Sequence, residues 1–128
     1  MSREIVDKFF AAIQSGDIEA VRALYAPDAV IWHNDDLIEQ SVEENLKVLG
    51  GLQRAVSGLR YEIVRQAETG DGVLQQHVLH GRLPSGKDFQ LHAAMYLQVR
   101  DGRIARIDEY LDSARRSEIK RAREALAD

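Results

Sequence analysis

Arg100-Asp-Gly-Arg-Ile-Ala-Arg-Ile-Asp-Glu-Tyr-Leu-Asp112 opens on an Asp-Gly pair and continues as a run in which Ala105, Ile107 and Leu111 are the alternate apolar residues. Asp-Gly followed by an alternating run predicts the turn and second arm of a β-hairpin. Side chains of a strand point to opposite faces in turn, so Glu109 stands in line with the apolar set while Arg106, Asp108 and Tyr110 face the other way. One carboxylate is thereby aimed at a core. Burial without a partner raises a carboxyl pKa by up to a few units, the condition for proton transfer near neutral pH. The competing expectation is a Glu109 half-buried at the strand end or satisfied by a core neighbour.

Working back toward the N-terminus, turn signals recur at Asp101-Gly102, Pro84-Ser-Gly-Lys87 and Thr69-Gly-Asp-Gly72, and between them the period is two. This predicts a meander of four long strands from Leu59. Leu59, Tyr61 and Ile63 share one face of the first strand, and Val73, His77, Leu79 and Leu83 one face of the second. Leu91, Ala93, Met95, Leu97 and Val99 share one face of the third, and Glu109 lies on the matching face of the fourth. The other faces carry a polar and aromatic mixture including His80, His92, Tyr96 and Gln98.

Before the meander the period is helical. Ser2 caps a first helix carrying Ile5, Phe9 and Ile13 and stopped by Gly16. Asp17 caps a second, whose stripe is Val21, Leu24 and Tyr25 and which Pro27 ends. Ala29-Val-Ile-Trp32 then predicts a strand feeding the polar loop His33-Asn-Asp-Asp36. Ser41-Val-Glu-Glu44 has the form of a capping box, opening a third helix to about Ser57 with Gly50-Gly51 as a weak point. The tail Ser113 to Asp128 predicts a helix with a thin stripe of Ile119, Ala122 and Leu126 among Arg115, Arg116, Lys120, Arg121 and Arg123, and such charge runs usually form a solvated face.

A chain of 128 residues fits one domain, 1–128, with room for a substantial core. A net charge of -4 and a pI of about 5.6 argue against nucleic acid and anionic membranes as partners. With no cysteine, neither disulfides nor a thiolate metal site can form, and four histidines scattered without ligand spacing predict no metal. No apolar leader or membrane-length run is present, so the expected location is cytoplasmic.

Three helices followed by a curved antiparallel sheet predict an α+β cone, with the helices closing one side over a pocket lined by the inner sheet face and a C-terminal helix appended. This order resembles the nuclear transport factor 2-like superfamily. Phe9-Phe-Ala-Ala-Ile-Gln-Ser-Gly-Asp17, Tyr25-Ala-Pro-Asp-Ala-Val30 and Asp101-Gly-Arg-Ile … Glu109-Tyr-Leu-Asp112 are similar to its branch of SnoaL-like polyketide cyclases, ketosteroid isomerases and limonene-epoxide hydrolases, over residues 3 to about 113. At the positions where the isomerases hold a tyrosine donor, a carboxylate base and a protonated aspartic acid stand Phe9, His33 and Met95, so their oxyanion hole is not expected here. Against the hydrolases, Trp32-His-Asn34 matches a Tyr-x-Asn pair and Glu109 the closing-strand aspartate, but His77-Val-Leu79 replaces Arg-x-Asp. SnoaL-like cyclases require a closed apolar pocket and an acid/base pair, with no cofactor.

The resemblance and the residues together imply a cofactor-independent enzyme performing isomerisation, cyclisation or water addition on a small apolar substrate. Glu109 is the expected general acid/base, and His77 orients it or relays its proton. Asn34 and Trp32 hold substrate or water, while Phe9, Tyr61 and Met95 contribute the wall. Parity allows only one of His33 and Asn34 to face the pocket. The resemblance to the hydrolases favours Asn34, with His33 as the other candidate. The alternative function is a non-catalytic module of the same fold binding a small ligand or a protein. A homodimer through the outer sheet face, near Tyr96, His92 and Gln98, is the expected assembly.

Overall fold

The structure, a computed structural model, describes residues 2–127. Met1 and Asp128, the ends of the expected domain and tail helix, lie outside the described residues. Helix α1 (Ser2–Ser15) buries Val6, Phe9, Phe10, Ala12 and Ile13. It stops at Gly16, whose φ of 77° is the left-handed conformation that ends helices and that glycine adopts without strain. The Asp17 side chain then accepts from the Ala20 N–H at 3.0 Å, capping α2 (Ile18–Leu24).

Tyr25 was expected on α2, but it is already extended and begins β1 (Tyr25–His33). Pro27 lies in this strand, and the ladder to the neighbouring strand breaks between Tyr25 and Val30, around the residue that has no N–H to donate. A two-residue strand, β2 (Glu39–Gln40), pairs with β1. Next comes α3 (Val42–Ala55), opened by a capping box in which Glu44 N–H donates to Ser41 Oγ at 3.2 Å and Ser41 N–H to Glu44 Oε1 at 2.9 Å. It ends at Ala55 and runs unbroken through Gly50-Gly51.

The meander follows as β3 (Ser57–Glu68), β4 (Gly72–Arg82), β5 (Asp88–Arg100) and β6 (Arg103–Leu111), and α4 (Ser113–Ala127) closes the chain. Asp101 and Gly102 have φ of 54° and 74°, the paired left-handed conformations of a tight hairpin turn. The strand order is β2-β1-β6-β5-β4-β3. Because β1 runs parallel to β6 while the other pairs are antiparallel, the curved six-stranded sheet is mixed rather than wholly antiparallel. It stays open, and the helices cover its concave face.

Two irregularities shift residues from their expected faces. A register change between Ile63 and Arg65 turns Gln66 rather than the odd-numbered residues to the side of Gln75, while Ile63, still opposite His77, is exposed beyond the core. A second shift, opposite Gln98 and Val99, places Ile104 with Ile107 in the core and makes Ala105 the extra residue. The tail helix is less solvated than its charge suggests, since Ile119 joins the core and Ala122 packs against it. No helix among the described residues is long and apolar enough to cross a membrane.

Candidate active site

The ladders place four inward side chains in one row across four strands. Gln75 on β4 faces Met95 on β5, Met95 faces Glu109 on β6, and Glu109 faces His33 at the end of β1. His33 Nε2 lies 3.0 Å from Glu109 Oε1, and both side chains are largely buried, at 7 % and 14 % exposure. His33 Nδ1 is buried with no partner among the described residues. An N–H placed there would be an unsatisfied donor, whereas a bare nitrogen is an unused acceptor, so the proton belongs on Nε2, donated to the carboxylate. Glu109 Oε2 is left for whatever occupies the pocket.

That pocket is a cavity of about 700 Å³ between the helices and the inner sheet face. Its apolar walls include Phe9, Phe10, Ile13, Ile31, Leu79, Leu91, Met95 and Leu111, with His33, Glu109, Tyr25 and Tyr61 as polar points. The Tyr25 hydroxyl donates to Asn45 Oδ1 at 2.7 Å, and the Asn45 amide donates to Gln40 Oε1 at 3.2 Å. Burial, reinforced by the Glu109 charge, pushes both phenols above their usual pKa and keeps them protonated. Asp35, Asp36, Arg54, Arg116, Lys120 and Arg123 also line the cavity, around its rim.

His77 shares the face of Glu109 but not its hydrogen bonds. It occupies the adjacent row, opposite Ala93, which in turn faces Leu111. Its ring packs tilted against Phe10 and edge-on against Tyr61, with centroids 5.3 and 5.2 Å away, so these two rings form the wall and His77 stands behind them. The Gln75 amide donates to its Nδ1 at 2.9 Å, and Gln66 donates to Gln75 Oε1 at 2.9 Å. Burial lowers the His77 pKa, with Glu109 opposing the shift. The expected contact partner of Glu109 is therefore corrected to His33.

Parity corrects two further expectations. Ile31 and His33 point inward, so Trp32 is on the outer face, where it packs edge-on against Tyr110 at 5.3 Å. Asn34 Oδ1 accepts from Leu111 N–H at 2.9 Å, and Asn34 N–H donates to Glu109 C=O at 3.0 Å, so Asn34 clasps the end of β6 without lining the cavity. Sequence reasoning missed Tyr25, Asn45 and Gln75. Asn45 carried a signal, since it falls on the Val42, Leu46, Leu49 stripe of α3. Gln75 carried one too, standing between Val73 and His77 on one strand face. Among the described residues no group of three His, Cys, Asp or Glu side chains is placed to hold a metal ion.

Residues 6–107 match the model of the SnoaL-like domain family. No curated protein matches the chain. Among solved structures, IdmH of Streptomyces antibioticus, a proposed polyketide cyclase, superposes with a TM-score of 0.82 at 24 % identity, covering 94 % of this chain and 99 % of that one. PrhC of Penicillium brasilianum gives a TM-score of 0.83 at 16 % identity, over 97 % and 88 % of the two chains. An LEH-like epoxide hydrolase of M. tuberculosis gives 0.73 at 24 % identity, over 97 % and 92 %. At these identities the structures establish the fold, and the family match reaches across both helical and sheet layers, so the chain belongs to the SnoaL-like domain family.

Proposed function

We propose that the chain, acting as one domain, is a cofactor-independent enzyme. In this reading Glu109 moves a proton on a small, largely apolar substrate in an isomerisation, a cyclisation or the addition of water. The observation that carries this is the carboxylate at the floor of an apolar cavity with one oxygen fixed by His33. Glu109 Oε2 takes a proton from a carbon acid or a water, and the resulting carboxylic acid returns it to another atom of the same substrate. His33 is a positioning residue, since its second nitrogen is sealed from the cavity. His77 keeps the wall in place through Tyr61 and Phe10, while Phe9, Tyr61 and Met95 hold the substrate body. A pure binding module needs the wall but has little reason to bury an ionisable pair.

The base can be tested before the natural substrate is found, with 5-nitrobenzisoxazole. Removal of its ring C–H proton breaks the N–O bond and releases a coloured phenoxide. Glu109→Gln should lower this rate by roughly 10²- to 10⁴-fold while the protein still binds the fluorescent apolar probe N-phenyl-1-naphthylamine. Full rate in Glu109→Gln would refute the assignment.

We also propose a homodimer through the outer sheet face. There Trp32, Tyr110, Tyr96 and Leu74 form an aromatic and apolar surface, with Tyr110 and Leu74 more than half exposed.

A further inference from the structure

The cations that line the cavity all stand at its rim, away from Glu109. Its floor holds the Glu109 carboxylate, whereas its α3–α4 rim holds Arg54, Lys120 and Arg123, none of which makes an ion pair among the described residues. Arg116 differs, because it bonds Asp35 Oδ1 at 2.5 Å and lies 3.8 Å from Asp36. Glu124 is the remaining rim carboxylate and is also without an ion pair among the described residues. Against Asp35, Asp36 and Glu124, the four rim cations leave the opening with one net positive charge, and Arg54, Lys120 and Arg123 have their charged ends uncommitted to an ion pair among the described residues, so an anion there would meet attraction.

Gly51 shows that one of these cations is accommodated by the backbone. It is buried in mid-helix, where glycine costs helix stability, and a Cβ added there would collide with the Arg123 side chain. The missing methyl group lets Arg123 lie flat against α3 at the opening.

Resting on the reading of this cavity as a substrate site, we propose that the substrate is a hydrophobic carboxylic acid. Its apolar skeleton fills the cavity toward Glu109, and its carboxylate is held at the rim by Arg123 with Lys120 and Arg54. The position of Glu109 sets the direction of entry. Glu109 repels the acid group from the floor, so the end of the skeleton remote from the carboxylate is the end that reacts.

The test is displacement of N-phenyl-1-naphthylamine by 1-naphthylacetate and by its neutral amide, 1-naphthylacetamide, which share one skeleton. The acid should bind more tightly than the amide, and its advantage should shrink as salt rises. Arg123→Gln should weaken the acid roughly three- to tenfold and leave the amide unchanged. Gly51→Ala should reproduce that selective loss with an unchanged or higher Tm, because alanine favours the helix while displacing Arg123. A Gly51 needed only for packing would lower Tm and weaken both ligands. Equal affinity for acid and amide, or equal weakening of both in Arg123→Gln, would overturn the substrate class while the cavity still bound the probe. No probe binding at all would instead remove the substrate-site reading on which it rests.

Discussion

Glu109 and Asp108 are adjacent carboxylates in different chemical settings. Glu109 faces the cavity beside His33, whereas Asp108 is on the outer face at 3.0 Å from Arg106. Asp108→Asn should therefore leave the 5-nitrobenzisoxazole rate nearly unchanged where Glu109→Gln abolishes most of it, and equal losses would mean that charge near the site, not position, sets the rate. His77 belongs to stability. The folded protein holds its pKa below the usual 6.5, so folding disfavours its protonated form. The contribution is fully present above about pH 6.5 and is lost as pH falls toward the lower folded value. His77→Phe leaves the Gln75 amide without its acceptor and should cost roughly 1–3 kcal/mol at pH 7.5 by urea unfolding, with the gap to wild type narrowing at pH 5. At this scale, alternation alone revealed the inward Glu109 and His77. It did not reveal His33, because a single tryptophan beside a single histidine leaves parity undecided until the strand has a partner.

Each element carries its own instructions to different degrees. The Ser41–Glu44 box and the Asp101-Gly102 turn are local, and both formed as the sequence implied. Ser41→Ala should accordingly lower stability by about 1 kcal/mol in urea titration, with little effect on the site. Bulges were not legible, because they depend on which residue of the partner strand is opposite. Gln66 turned to the side of Gln75 and Ile104 entered the core for that reason. The Asn34 clasp is likewise a product of the β1–β6 pairing. Removing it with Asn34→Ala should cost about 1 kcal/mol and lower turnover more than ligand binding, since it fixes the strand end that holds Glu109 without touching the cavity. Measuring the rate constant and probe affinity on the same preparation separates the two effects.

At the scale of the molecule, the proposed dimer is checked by light scattering at micromolar concentration. Two copies should be seen, and Tyr110→Glu, which places a charge on the aromatic face, should give one copy with an intact pocket. A monomeric wild type would remove the dimer. The cone itself was legible because the change from helical to alternating period fixes a layer of helices on a meander. The parallel closure of β1 onto β6 was not, because those strands are distant in the chain, as the separation of 77 positions from Asn34 to Leu111 shows. That closure also makes the chemistry a property of reunion. A cut between Ser57 and Gly58, both exposed, would leave His33, Tyr25 and Asn45 on one fragment and Glu109, Tyr61 and Met95 on the other. Neither fragment would hold both Glu109 and His33, the proposed base and its positioning partner. On the proposed function, proton-transfer activity would therefore rise with the product of the two fragment concentrations, making the protein a reporter of its own reassembly.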